Sequence, residues 1–237
     1  MANLFGLSPI AISAEQTEIA GEPGDSLKGF KSYPVFQKSY EPLQTFVPKD
    51  WTILDSISCH LSEDSIKDLA LVIEFKNTVN ELLAPETEFE CKPRILLILL
   101  RQRSKPLFQL LIQNNLIVAR NGMGRFGDNG QAGGDPYEKM KVKKKVLSLI
   151  GSWGAEYKFR CQNGDIYLIG ATDVSRYDRD YMYVSDLNFL TGKGLLSRTP
   201  RSEDGKTKEK WIILPKESLI KLRDINSIEE VAFPYYE

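Results

Sequence analysis

The stretch Trp51–Glu74, WTILDSISCHLSEDSIKDLALVIE, decides how the rest of the chain is to be read. A strand from Trp51 gives way to a polar turn carrying Asp64 and Asp68, and the turn feeds the run Asp68 to Phe75, DLALVIEF. A nearly continuous apolar run of strand length predicts a strand covered on both faces.

Working toward the C-terminus, the same character returns at Arg94 to Leu100 and at Leu107 to Ile112, separated by a turn at Lys105-Pro106. Asn114-Asn115 is expected to close a hairpin into a strand at Leu116 to Arg120, because Asn tolerates positive φ. Lys139 to Val142 and Val146 to Ile150 flank a Lys143-Lys144-Lys145 turn, and Glu156 to Cys161 and Ile166 to Ala171 flank Asn163-Gly164, a strong two-residue hairpin signal. Tyr181 to Phe189 and Gly194 to Arg198 follow around Thr191-Gly192, and a polar loop from Thr199 to Lys208 precedes a strand at Trp211 to Leu214. Helical character is expected only at Lys216 to Leu222 and Ser227 to Val231. The pattern predicts a mainly β fold (all-β to α+β), an antiparallel meander of sequential hairpins with few short helices.

Toward the N-terminus, residues 1–48 carry Pro9, Pro23, Pro34, Pro42 and Pro48 and no sustained period. They predict an irregular arm whose second half docks through Tyr33, Phe36, Tyr40 and Phe46, leaving 49–237 as a single mainly β domain.

Composition narrows the function classes. The 237 residues hold 31 basic and 32 acidic side chains, net charge −1, so nothing global favours nucleic acid or an anionic membrane. The longest apolar run, Ile95 to Leu100, is six residues, whereas a spanning helix needs roughly 20. No transmembrane segment is expected. The start, MANLFGLSPIAISAEQ, has no Lys or Arg and is broken by Pro9, so no intact signal peptide is read there. A chain whose signal had been removed would look the same. Cys59, Cys91 and Cys161 leave open one disulfide or buried thiols.

A calcium loop of the form D-x-D/N-x-D-G-x-x-D sets oxygens at alternate positions around a glycine bend. The corresponding positions here are His60, Ser62, Asp64, Ser65 and Asp68, which keep two carboxylates and lose the glycine. Asp64 and Asp68 are therefore the candidate metal ligands, with backbone hydrogen bonding inside the turn as the alternative. Gly122-Met123-Gly124-Arg125-Phe126-Gly127 fits G-x-G-x-x-G literally, but the residues after it cannot open the helix that a dinucleotide site requires. That glycine-rich segment is better read as a long recognition loop. Lys139, Lys141 and Lys143 should share one face of an edge strand, with Met140 and Val142 facing the core. Arg176-Tyr177-Asp178-Arg179-Asp180-Tyr181 with Tyr183 is the most interaction-like stretch, since Tyr and Arg supply binding hot spots. His60 is the sole histidine and no nucleophile elbow is present, so catalysis has thin support.

The series W-x-I-L-D, a short acidic loop, then D-L-A-L-V-I-E resembles the FG-GAP-type segment of a family of bacterial cell-envelope and lipoprotein-like proteins. The likeness continues in order through Gly133-Gly134-Asp135-Pro136-Tyr137, Gly151-Ser152-Trp153, Tyr157-Lys158-Phe159-Arg160, Tyr167-Leu168-Ile169-Gly170 and Leu190-Thr191-Gly192-Lys193, covering roughly residues 46–198. The resemblance implies an antiparallel β fold and a periplasmic or envelope setting, with a cytoplasmic one as the alternative. It does not imply an activity. The chain departs from the family loop, G-D-L-N-x-D-G-x-x-D, at Cys59, His60, Ser62 and Ser65, and shows no lipobox cysteine near its start.

These readings together predict a non-enzymatic bacterial protein-binding module, in its concrete form an immunity-type inhibitor of a partner toxin or effector. Its contacts would be Arg125 and Phe126 in the glycine-rich loop and Arg176, Tyr177, Arg179 and Tyr181 in the Arg/Tyr loop. The alternatives are a calcium-stabilised envelope protein of structural role and an enzyme of unknown specificity. No cofactor other than calcium, and no nucleic-acid partner, is expected.

Overall fold

A computed structural model describes residues 33–62, 64, 66–84, 87–120, 135–175, 178–202, 205–215, 218–225 and 233. Strands are numbered in chain order. The first seven are β1 (Tyr40–Pro42), β2 (Trp51–Cys59), β3 (Asp68–Phe75), β4 (Val79–Ala84), β5 (Thr87–Cys91), β6 (Arg94–Arg101) and β7 (Leu107–Asn114). The next seven are β8 (Tyr137–Lys143), β9 (Val146–Gly151), β10 (Glu156–Gln162), β11 (Asp165–Ser175), β12 (Tyr181–Asn188), β13 (Lys193–Pro200) and β14 (Lys208–Ile213). Described helical segments are 3-10 turns of three or four residues. The mainly β, antiparallel architecture predicted from the hairpin signals is the one observed.

The first sheet has the order β1-β7-β6-β3-β2, and the β4–β5 hairpin forms an excursion between β3 and β6. In the second sheet every strand from β8 to β14 pairs with its neighbour in sequence, a plain meander. The turns explain this locality. Asn163 and Gly164 sit at φ 53° and 76°, and Lys144 and Lys145 at φ 50° and 62°. Two successive left-handed residues give the tight turn whose twist matches that of paired strands.

Strand alternation splits one apolar run between two cores. On β3, Ala70 and Val72 face the second sheet while Leu71 and Ile73 face away; on β6, Leu96 and Ile98 oppose Ile95, Leu97 and Leu99 in the same way. The inter-sheet core adds Met140, Leu147, Leu149, Tyr157, Phe159, Ile166 and Leu168. The outer core is closed by Phe46, Trp51, Phe75 and Val79, with Tyr33, Phe36 and Leu43 packed against it. The second half of the 1–48 arm therefore docks, and its Tyr40–Pro42 segment adds β1 to the sheet edge. Tyr40 itself is exposed.

Two expected elements are corrected. Leu116 to Arg120 is not a strand, because buried Asn114 turns its side chain inward. Its Oδ1 accepts from Leu116 N (2.8 Å) and Ile117 N (2.9 Å), and its Nδ2 donates to the carbonyls of Leu222 and Ile225, both at 2.8 Å. All of its amide capacity is spent holding an irregular turn and the C-terminal segment. Within the expected helix Lys216 to Leu222, residues 218–221 are not helical either. Leu168 N donates to Ile220 O (2.9 Å) and Lys221 bridges Tyr167, so sheet pairing captures the backbone. A short 3-10 turn at Leu222–Asp224 follows, with Leu222 buried. Ser227 to Val231 lies outside the described residues.

Candidate functional site

The acidic turn between β2 and β3 is closed by its own donors. Asp68 is buried, and its Oδ2 accepts from Leu61 N (3.1 Å), Ser62 N (2.8 Å) and Ser62 Oγ (2.8 Å). Asp64 Oδ1 accepts from Ile66 N and Ser62 Oγ, both at 2.9 Å, and these hold its carboxyl below the usual range. The Ser62 hydroxyl carries one proton and serves the two carboxylates alternately. His60 Nδ1 lies 3.2 Å from Ile66 O. Asp64 and Asp68 thus share the Ser62 hydroxyl, and a cation held there would first have to displace these donors. Among the described residues no group of three or more His, Cys, Asp or Glu could hold a metal ion.

A second polar cluster seals one end of the inter-sheet core. Arg94 opposes Glu74 across β6 and β3 and is fully buried. Its Nε and Nη2 donate to Glu74 Oε2 (2.8 and 2.6 Å), and its Nη1 and Nη2 to Asp135 Oδ1 and Oδ2 (2.7 and 2.5 Å). Nη1 also donates to Ala119 O (2.6 Å), so every guanidinium N–H is used. Burial disfavours the charge, but the two carboxylates outweigh it and hold Arg94 protonated beyond its ordinary range. The Tyr137 ring lies 5.8 Å from this cation, and its hydroxyl donates to Asp55 Oδ2 at 2.7 Å. Asp55 is turned inward by a bulge at Leu54, and the same oxygen accepts Met140 N (2.7 Å), fastening edge strand β8 to edge strand β2. This network is structural. On the solvent side of β8, Lys139, Lys141 and Lys143 are exposed and Met140 is buried, the alternation expected of them. Lys139 and Lys141 pair with Glu138 (2.6 Å) and Glu156 (3.7 Å).

The recognition-like surface lies at the start of the β12–β13 hairpin. Tyr183 pairs with Arg198 in register, so Tyr181, Tyr183 and Arg198 share one face. Arg198 stacks over the Tyr181 ring at 3.5 Å and lies 5.9 Å from the Tyr183 ring, with the two rings 6.3 Å apart. Its Nε is buried without an acceptor among the described residues. Asp178 organises the approach: Oδ1 accepts from Asp180 N (2.8 Å) and Tyr181 N (3.1 Å), and Oδ2 from the Tyr183 hydroxyl (3.0 Å). The Asp180 N–H leads in lowering the Asp178 carboxyl, while desolvation and then Asp178 raise the Tyr183 phenol. Tyr181 and Tyr183 are half-buried and Arg179 is exposed. The geometry is that of a preorganised aromatic–cation patch, suited to binding.

Of the residues expected to meet a partner, Tyr181 belongs to this patch and Arg179 is exposed in the segment leading into β12, whereas Arg125, Phe126, Arg176 and Tyr177 lie outside the described residues. Arg198 was missed by sequence reasoning. Counting outward from the Thr191-Gly192 turn places it opposite Tyr183, so hairpin register was the signal that could have found it. Among the described residues no helix is long and apolar enough to cross a membrane. Comparison with protein-family models, curated proteins and solved structures returns no match.

Proposed function

We infer that the protein is a non-enzymatic protein-binding module, in its concrete form an immunity-type inhibitor that neutralises a partner toxin or effector. The stacking of Arg198 on Tyr181 carries this reading. Large aromatic area and a directional cation are what binding hot spots are made of, and here both are fixed before any partner arrives. The scaffold supports it too, because a sandwich with two apolar cores presents such a patch with little ordering cost. An envelope setting rests on the FG-GAP-type resemblance.

The test is capture of the cognate partner from a lysate of the source cell by the wild-type protein and by Tyr181→Ala and Arg198→Ala variants. Loss of a hot-spot side chain costs at least about 1.4 kcal/mol, or roughly tenfold in affinity. Both variants should keep the wild-type melting temperature within a few degrees while losing the partner. Equal retention by wild type and variants would refute the assignment of the patch. A wild-type protein that holds nothing at micromolar concentration would refute the binding function itself.

A further inference from the structure

The second sheet ends on β14, which pairs only with β13 among the described residues. Leu214 N donates to Gly192 O (2.9 Å), and this fixes the phase of the ladder. Hydrogen-bonded pairs alternate in an antiparallel ladder. The backbone groups of Glu209, Trp211 and Ile213 therefore point away from β13. Side chains of the same residues share one face of the sheet, where Trp211 is 69% exposed and Ile213 89%. Lys208 and Lys210 project from the opposite face and are exposed; Lys193, which pairs with Ile213 and so stands on its face, and the nearby Lys206 are exposed too. None of these four lysines forms an ion pair with a described residue.

We propose that β14 is a strand-addition site for an extended acidic segment of a partner protein, one that alternates carboxylate and apolar side chains. Three features of the edge ask for that alternation. Outward backbone groups at three alternate residues require an extended chain. Trp211 and Ile213 on one face require apolar side chains at every second position. Lys208 and Lys210 on the other face require carboxylates at the positions between.

A second copy of this chain fits worse. Antiparallel self-pairing that keeps apolar faces together sets Lys210 against Lys210, or within two residues of it, and edge lysines commonly serve to prevent such pairing. The inference does not rest on the Tyr181–Arg198 patch, because Arg198 pairs with Lys208 and lies on the face opposite Trp211.

The probe is a fluorescently labelled eight-residue peptide of alternating Glu and Val, titrated with the full chain and followed by anisotropy. A Lys/Val peptide of the same length is the control. The Glu/Val peptide should saturate, bind at least about tenfold more tightly than the Lys/Val peptide, and weaken as salt is raised. Trp211→Ala should lower its affinity about tenfold. Glu209→Pro keeps Trp211 but deletes an outward N–H that β13 does not use, and it should weaken binding as well. Tyr181→Ala should bind the peptide as wild type does, so failure here and failure of the inhibitor reading remain separable. No saturation at millimolar peptide, equal binding of the two peptides, or indifference to Trp211→Ala would overturn the proposal. So would a concentration-dependent dimer that Trp211→Ala abolishes, since the occupant would then be a second copy.

Discussion

Replacing Arg94 by Met keeps most of the buried stem and removes all five donors at once. Among the described residues, Glu74, whose side chain is 10% exposed, would retain only Lys92 at 3.9 Å, and the Ala119 carbonyl would lose the Arg94 donor. Asp135, 35% exposed at its side chain, can return to water. Breaking a buried ion pair costs about 3–5 kcal/mol. Each kcal/mol moves Tm by about 2–4 °C in a domain of this size, so Arg94→Met should melt roughly 6–20 °C lower. Thermal and urea unfolding followed by circular dichroism would measure this. Adding Glu74→Leu to Arg94→Met removes the stranded carboxylate and should recover a substantial part of the loss, because an apolar replacement of a buried pair is often neutral. A drop in Tm below about 2 °C for Arg94→Met, or no recovery in the double variant, would refute the view that this cation seals the sandwich.

Cys59 is held up from its ordinary 9.0 to about 11, by burial against an opposing hydrogen bond at Ala70. A raised folded-state value means that its contribution is complete below pH 9.0 and is lost as pH climbs toward 11. The urea midpoint should therefore fall across that window, and fall less in Cys59→Ala. At Gly170, an added Cβ would stand 2.9 Å from the Leu187 carbonyl oxygen, so Gly170→Ala should destabilise by about 1–3 kcal/mol in urea titration. Millimolar calcium should leave Tm unchanged, since Asp68 Oδ2 already accepts three hydrogen bonds from its own turn. A rise in Tm with calcium would show that the ion displaces them.

Much of this fold was legible because its pairings are local. The bounds expected for the strand at Asp68 to Phe75 are those observed, and Asn163-Gly164 and the lysine turn sit where φ is positive. What escaped depends on long-range partners. Asn114-Asn115 looked like a hairpin turn, but the amide of Asn114 is claimed by carbonyls 108 and 111 residues away. Strand β4, VNELLA, has no clean alternation, and β5, TEFEC, alternates over only five residues with glutamates at every second position. Of the candidate site, Tyr181 and Arg179 were visible as hot-spot residue types. The stacking of Arg198 on Tyr181 emerges only once β12 and β13 are paired. For Arg94, nothing in the sequence marked the arginine bracketing an apolar run as buried, because its second carboxylate lies 41 residues downstream.

Arg94 also joins distant parts of the chain. Its Nη1 holds both the carbonyl of Ala119 and the carboxylate of Asp135, while its Nη2 holds Glu74 on the neighbouring strand. One guanidinium thus fastens Ala119 and Asp135 to the β3–β6 pair, although neither residue belongs to a strand. Losing that one side chain frees both attachments at once, so positions far apart in sequence share a single point of failure.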